Sequence, residues 1–220
     1  MGLLAFTNTA APFLLLTYAT IHLTAGYGAL LNATTPLWGA VIGTLLFGLA
    51  TGRQMWAGLA VGFLGVGILV AGKLQDVGSA ALLPVLAGLL ATACYGHAAH
   101  YARTGFPGVS ALGLAFGSQV LSSVWLLGPA LAQWPATTPS STALACVLVL
   151  GVLCTGIAYL IYFGLITRVG STKATMVTYL APVFGVSWGA LFLSEKLTLA
   201  MMAGGTVVLL GVAIAGRAKR

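Results

Sequence analysis

Isolated polar side chains and two prolines interrupt the long apolar runs of this 220-residue sequence. An amide, hydroxyl or imidazole group is costly in hydrocarbon, so it faces other protein groups or a water-filled cavity. Together these residues predict a polar cavity enclosed by helices. The candidate cavity residues are Asn32, Thr35, Pro36, Tyr95, His97, Gln119, Tyr159, Thr178, Tyr179 and Pro182.

His97 and His100 lie three residues apart, which places them on one face of a helix. A hydrogen-bonded or interfacial histidine is the more ordinary interpretation, and binding of a solute or a proton at His97 stays open. Asp76 and Glu195 fall in loops at the opposite end and cannot complete a metal shell. We therefore expect no metal and no cofactor.

Other candidates also have two interpretations. Tyr159 fits an aromatic belt as well as a cavity wall, and Gln119 fits a helix–helix hydrogen bond equally well. Glu195, at a helix end, is expected to cap a helix or to pair with Lys196. The three cysteines fit small apolar fillers. The sequence contains no phosphate loop, paired carboxylates or nucleophile elbow, so we expect the protein not to be an enzyme.

The composition predicts the fold class. Only 5% of residues are charged and 60% are hydrophobic, and the mean hydropathy is +1.06. A soluble domain carries roughly 25% charged residues. The apolar runs are continuous and long enough for helices that cross a bilayer, so we predict an all-α polytopic membrane protein. The eight predicted transmembrane helices are Gly2–Ile21, Tyr27–Gly48, Gln54–Gly72, Leu82–Arg103, Ala111–Leu131, Ala143–Leu165, Thr172–Leu193 and Leu199–Gly216.

The net charge of +7 is explained by topology. When the loops are assigned alternately to the two sides, seven basic residues fall on the side of the C-terminus and two on the other. Such a bias marks the cytoplasmic side. We therefore expect both termini in the cytoplasm, a location in the inner or plasma membrane, contact with the lipid bilayer and no binding of nucleic acid.

Two similar stretches reveal an internal repeat. Pro-x-x-Gly-x-x-x-Gly occurs at Pro36 and again at Pro182, 146 residues later, and the same offset pairs Gly58 with Gly204 and Gly65 with Gly211. Spans one to three match spans six to eight, whereas spans four and five have no partner. A repeat with an odd number of helices is inverted in the membrane. The count predicts two further helices before the first, in roughly 65 residues; the alternative is an ancestor that duplicated only three helices.

The two prolines lie near the middle of their spans. Proline removes a backbone donor and displaces the carbonyl four residues earlier, which belongs to Asn32 in one span and to Thr178 in the other. Such an interruption is tolerated where neighbours or cavity water satisfy the freed groups, and it is typical of transporter sites. The alternative is a packing kink with Gly39 and Gly43 in a helix contact.

Polar residues divide the spans into two groups. The third span has no uncharged polar side chain deeper than Gln54, and the eighth has only Thr206, whereas the other six carry several. We expect those six to enclose the cavity, with spans three and eight outside.

Three segments carry a resemblance to a known family: Ala181-Pro182-Val183-Phe184-Gly185, Phe192 to Thr198 and Gly204 to Gly211. They resemble the drug/metabolite transporter superfamily, EamA-domain type. In place of the glutamate that the family has after the fourth helix of a repeat, the first half has Leu49, and the second half has Glu195.

The resemblance implies a ten-helix inverted-repeat transporter with cytoplasmic termini, lacking here its first two helices. The chain would then hold helices three to ten: a truncated three-helix repeat at 1–72, a five-helix repeat at 82–217 and a basic tail at 218–220.

The expected function is transport of a small organic solute, such as an amino acid, a metabolite or a drug-like compound, by alternating access. No Asp or Glu lies within a predicted span, so a carboxylate proton relay is not expected there. The sequence does not decide whether the protein forms a homodimer. The alternative function is that of a truncated, non-transporting membrane protein with a structural or partner-binding role.

Overall fold

The computed structural model describes residues 1–50, 52–175, 177 and 180–216, and within these ranges it contains helices and no strand. Two helices include a π-helical segment, at Phe6–Ala10 and at Leu150–Ile157. The helices are α1 (Gly2–His22), α2 (Ala25–Asn32), α3 (Thr35–Phe47), α4 (Arg53–Val77), α5 (Leu82–Thr104), α6 (Ala111–Ala132), α7 (Ser141–Val169), α8 (Ser171–Ala174), α9 (Leu180–Phe192) and α10 (Leu199–Gly216).

The chain is a multi-pass membrane protein. In the described part of the chain, six helical stretches are long and apolar enough to cross a bilayer, and α9 is a shorter apolar helix. The longest stretch, Arg53–Thr104, covers two of the predicted spans. It divides into α4 and α5 at a 3₁₀ turn, Gly78–Ala81, where Gly78 has φ 77° and ψ −167°. Glycine reaches this conformation at no steric cost, so the helix can end there.

The second predicted span is interrupted, as expected, but the break lies just before Pro36. A turn at Ala33 and Thr34 separates α2 from α3. Pro36 occupies the first turn of α3, where its missing N–H group leaves no bond unmade. The hydroxyl of Thr35 donates to the carbonyl of Asn32 at 2.8 Å, which satisfies an acceptor at the break.

Helices α4 and α10 pack backbone against backbone. A Cβ atom added to Gly58 would lie 2.6 Å from the carbonyl oxygen of Gly211, and one added to Gly65 would lie 2.8 Å from that of Gly204. Only glycine fits at so close an approach. Because Gly58 contacts the later part of α10 and Gly65 the earlier part, the two helices are antiparallel.

Helices α3 and α9 end in the same way. Gly48 follows α3 with φ 63°, and Ser194, 146 residues later, follows α9 with φ 54°. In each case the next residue donates its backbone N–H group, at 3.0 Å, to a carbonyl six residues earlier: that of Gly43 in α3 and that of Gly189 in α9. Both helices therefore end in a C-terminal cap in which a residue has the left-handed conformation and the next residue bonds back to a carbonyl of the helix.

The π-helical segments of α1 and α7 also correspond in sequence. Phe6–Ala10, shifted by 146 residues, becomes 152–156, which falls inside Leu150–Ile157. A π-helical turn is rare and leaves part of the backbone without its regular partner. Its occurrence at equivalent places in two helices indicates a common local construction.

We expect Gly65→Leu to lower the free energy of unfolding by roughly 1–3 kcal/mol, because the new side chain must displace the backbone of α10. Gly67→Leu is the matched control: it lies two residues further along α4 and has nothing within 4 Å of its Cβ position. Thermal unfolding in detergent measures the difference. Equal melting temperatures for the two variants would contradict the α4–α10 contact.

Candidate functional site

A cavity of about 490 Å³ lies between helices of both halves of the chain. Its described walls come from α1, the α2–α3 break, α5 and α7, together with Val177. None of these lining side chains carries a formal charge at neutral pH. The lining residues are Asn8, Phe13, Asn32, Thr35, Tyr95, Cys154, Ala158, Tyr159, Ile161, Tyr162, Leu165 and Val177.

The π-helical part of α1 forms one wall of the cavity. Side chains of two other helices donate hydrogen bonds to the backbone there. The hydroxyl of Tyr159 in α7 donates to the carbonyl of Asn8 at 2.8 Å. The hydroxyl of Ser122 in α6 donates to the carbonyl of Ala5 at 2.9 Å. In a membrane interior, backbone acceptors at an irregular turn need such partners. These two bonds hold α6 and α7 against the irregular part of α1.

Thr9 is the centre of a small polar cluster behind this wall. Its hydroxyl donates to Gln119 Oε1 at 2.8 Å and lies 3.4 Å from the hydroxyl oxygen of Tyr159 and from Asn8 Nδ2. Asn8 and Thr9 are both buried. Gln119 therefore bonds helix to helix, which is one of its two predicted roles, and it does not reach the described lining.

The two histidines differ in environment. His100 is buried between α3 and Ser171, with Nε2 2.8 Å from the Gly39 carbonyl and Nδ1 2.8 Å from the Ser171 hydroxyl. Because a carbonyl only accepts hydrogen bonds, Nε2 carries a proton. His97 stacks on Tyr101, with ring centroids 5.6 Å apart, and its Nδ1 lies 3.4 Å from the hydroxyl of Thr7. His97 is thus placed beside aromatic rings and outside the described lining.

The glycines that follow Pro36 serve helix packing. A Cβ atom on Gly96 of α5 would lie 2.7 Å from the backbone nitrogen of Gly39, and a Cβ on Gly43 would lie 2.9 Å from His100 Nε2. The packing interpretation of these glycines is therefore confirmed. It coexists with a cavity wall at Thr35, one turn earlier.

The structure brings four of the predicted cavity residues together around the cavity: Asn32, Thr35, Tyr95 and Tyr159. Pro36 is buried in α3. Pro182 lines a separate pocket with Leu30 and Met201. Thr178 and Tyr179 lie outside the described residues.

Sequence reasoning omitted several lining residues from the candidate set. Asn8 and Tyr162 carried a signal, because each is a polar side chain in an apolar span. Cys154 was interpreted as a small filler, yet it is exposed and lines the cavity. Phe13 has no property that distinguishes it in the sequence from any other apolar residue.

Helices α4 and α10 contribute no residue to the described lining. This agrees with the outer position predicted for these two helices, but α6, which was predicted to help enclose the cavity, contributes no residue to the described lining either. Within the described ranges, no three His, Cys, Asp or Glu side chains lie together as metal ligands would.

The sequence profile of the EamA-like transporter family matches residues 82–217, which is more than half of the chain. The chain belongs to the EamA-like transporter family. EamA-like proteins are membrane transporters, a class that fits a helical bundle with an uncharged internal cavity.

Two comparisons extend beyond the matched region of this EamA-like chain. The uncharacterized transporter YoaV of Bacillus subtilis (strain 168) is 22% identical over 200 residues, covering 90% of the chain and 68% of YoaV. A solved crystal structure aligns with a TM-score of 0.69 at 17% identity, over 97% of the chain and 74% of its own length. At that identity, the structural likeness shows the fold alone.

We expect Thr9→Val to destabilise the protein by about 0.6–1.7 kcal/mol, the range for interhelical hydrogen bonds in membranes. The variant keeps the shape of the side chain and removes the donor to Gln119. Thr20→Val is the matched control, because its hydroxyl is exposed and bonds to carbonyls of its own helix. Thermal unfolding of both variants in detergent measures the effect. A loss of equal size in the control would contradict the role of Thr9 between helices.

Proposed function

We propose that this EamA-like protein moves a small organic solute across the membrane by alternating access around the 490 Å³ cavity. The observation that carries the proposal is the cavity itself, which is lined by helices from both halves of the chain. Its lining combines apolar and aromatic surface with a few amide and hydroxyl groups, as small-molecule sites do.

The chemistry of the lining favours certain solutes. Tyr95, Tyr159 and Tyr162 offer ring faces and hydroxyl groups, while Asn32 and Thr35 offer hydrogen bonds. Ring faces also attract cationic groups. An anion would meet no positive side chain among the described lining residues. Amino acids, neutral metabolites and lipophilic cations with an apolar or aromatic part suit this cavity.

We further propose that the two halves form inverted repeats, with eight spans that correspond to helices three to ten of a ten-helix arrangement. The α4–α10 contacts support this arrangement, because a shift of 146 residues converts the Gly58–Gly211 contact into the Gly65–Gly204 contact. A twofold relation between two helices requires contacts that exchange in this way. The matching helix caps and π-helical segments give the same support. Both termini would lie in the cytoplasm.

The surface of α7 also supports the ten-helix arrangement. Residues 147–154 of α7 are exposed throughout, whereas in the equivalent residues 1–8 of α1 the side chains of Leu4, Ala5 and Asn8 are buried against α5 and α6. Two further helices, related to α5 and α6 by the proposed twofold, would cover α7 in the same way. A structural or partner-binding role without transport is not favoured, given the family and the cavity.

We expect Asn32→Leu to lower transport on the order of tenfold, because a solute group that bonds to the amide would be left unpaired at a cost of about 1–3 kcal/mol. The assay is growth of an overexpressing strain on a panel of toxic amino-acid analogues and lipophilic cationic dyes. Compounds against which the wild-type protein protects serve as probes. Loss of protection in the variant, at normal membrane levels, is the expected result.

Thr44→Leu is the control for this assay. It is the same kind of change on α3, at a hydroxyl that bonds to Ala40 within its own helix and lies outside the described lining. Wild-type protection by Asn32→Leu, or loss of protection in both variants, would contradict the assignment of the cavity. If overexpression protects against no compound on the panel, export of these solute classes is contradicted.

A further inference from the structure

Glu195 joins the two halves of the chain at one end of the bundle. It follows α9, and its carboxylate accepts the backbone N–H groups of Ala25, at 2.6 Å, and Gly26, at 2.9 Å. These are the first two residues of α2, and Ala25 lies 170 positions earlier in the sequence. The third N–H group, that of Tyr27, is bonded to the Thr24 hydroxyl at 3.3 Å. Glu195 therefore completes the N-terminal cap of a helix in the other half.

The charge of Glu195 strengthens this contact. The N-terminus of a helix carries a partial positive charge that stabilises a nearby carboxylate. Hydrogen bonds to an ionised acceptor are also roughly twice as strong as neutral ones. Glu195 is only half-buried, so water can replace α2 as its partner once the contact opens. The bond is strong when closed and can still be broken.

Glycines on both sides form the slot that holds the carboxylate. A Cβ atom on Gly26 would lie 3.3 Å from Glu195 Oε2 and 3.3 Å from the Cα atom of Val186. A Cβ atom on Gly189 would lie 3.0 Å from Glu195 Cδ and would overlap its carboxylate. A side chain on Gly189 would therefore displace the carboxylate, and one on Gly26 would require its neighbours to shift slightly.

The contact between α2 and α9 continues from Glu195 toward the cavity. A Cβ atom on Gly185 would overlap the side chain of Ala29, one turn further along α2. Asn32, at the end of α2, already lines the cavity. The seam from Glu195 to Gly185 therefore runs along α2 toward Asn32, which lines the cavity.

The opposite end of the bundle has different contacts at the corresponding positions. The residue 146 positions before Glu195 is Leu49, whose side chain cannot accept a hydrogen bond. Gly43, which corresponds to Gly189, instead faces the His100 imidazole and the Leu49 side chain. A carboxylate at a helix N-terminus is thus a property of the Glu195 end and not of its counterpart.

We propose that Glu195 is a latch that closes the cavity at this end of the bundle, and that its release from α2 opens the cavity there. The proposal rests on the proposed transport function and names a positioning residue for the alternating step. Glu195 does not contact the cavity, so its effect is on the closed state and not on solute binding.

Cys154 provides a native reporter because it lines the cavity. In a variant with Cys94→Ala and Cys146→Ala, Cys154 is the one thiol, and a membrane-impermeant maleimide can be applied to intact cells and to inside-out vesicles. We expect Glu195→Ala to raise labelling from the Glu195 side roughly tenfold, since the lost bonds are charge-assisted. Gly189→Ala should act in the same direction by displacing the carboxylate, and Glu195→Gln should give a smaller rise.

Asp76→Ala is the matched control, because Asp76 is exposed and lines one pocket with Lys196 at the same end. The proposal would be overturned if Glu195→Ala left the rate of Cys154 labelling from the Glu195 side unchanged. Wild-type labelling from the other side would show that this variant is folded. An equal rise in Asp76→Ala would also overturn the proposal. If Glu195→Ala does not fold, Glu195→Gln and Gly189→Ala decide by the same criterion. Labelling requires no transported solute, so failure of the transport assay would leave this result independent.

Discussion

Inside a bilayer no water is available to bond a backbone group, so protein groups must supply the hydrogen bonds wherever a helix is irregular. The structure depends on these bonds. The carbonyl of Asn8, in the π-helical segment of α1, receives the Tyr159 hydroxyl, and the carbonyl of Asn32, at the α2–α3 break, receives that of Thr35. All four of these residues line the cavity. At these two interruptions, the groups that satisfy the irregular backbone therefore also lie where a solute could bind.

The two outer helices, α4 and α10, are regular where they meet and pack too closely for side chains to fit between them. Where Gly58 and Gly65 of α4 meet Gly211 and Gly204 of α10, backbone lies against backbone, and a side chain at any of these positions would overlap the facing helix. In the proposed inverted repeat, one of these helices belongs to each half. A fixed outer pair and an interrupted inner set are suited to rocking of the halves around the cavity. The asymmetric contacts at the two ends, with Glu195 at one and His100 at the other, would then determine which end opens.

Local sequence pattern predicted much of this arrangement. Apolar runs located six helical stretches long enough to cross a bilayer and the shorter α9. The mid-span proline predicted an interruption close to the α2–α3 break, and of the isolated polar residues Asn32 and Tyr95 line the described cavity whereas His97 and Gln119 do not. Features that depend on distant partners could not be predicted in this way. The spacing of His97 and His100 placed both on one face, but only the packing of α3 decides that His100 is the buried one. Glu195 was expected to cap a helix or to bond a neighbour, and its partner in fact begins 170 residues away.

The most direct test of the account is a distance measurement at both ends of the bundle by double electron–electron resonance. One pair of spin labels would occupy the exposed positions Thr20 and Leu191, and the other Leu46 and Val169, so that each pair joins the two halves. Alternating access around the cavity predicts two populations in each pair, with one end widening as the other narrows when Glu195→Ala replaces the wild type. A single unchanged distance at both ends in both proteins would contradict it.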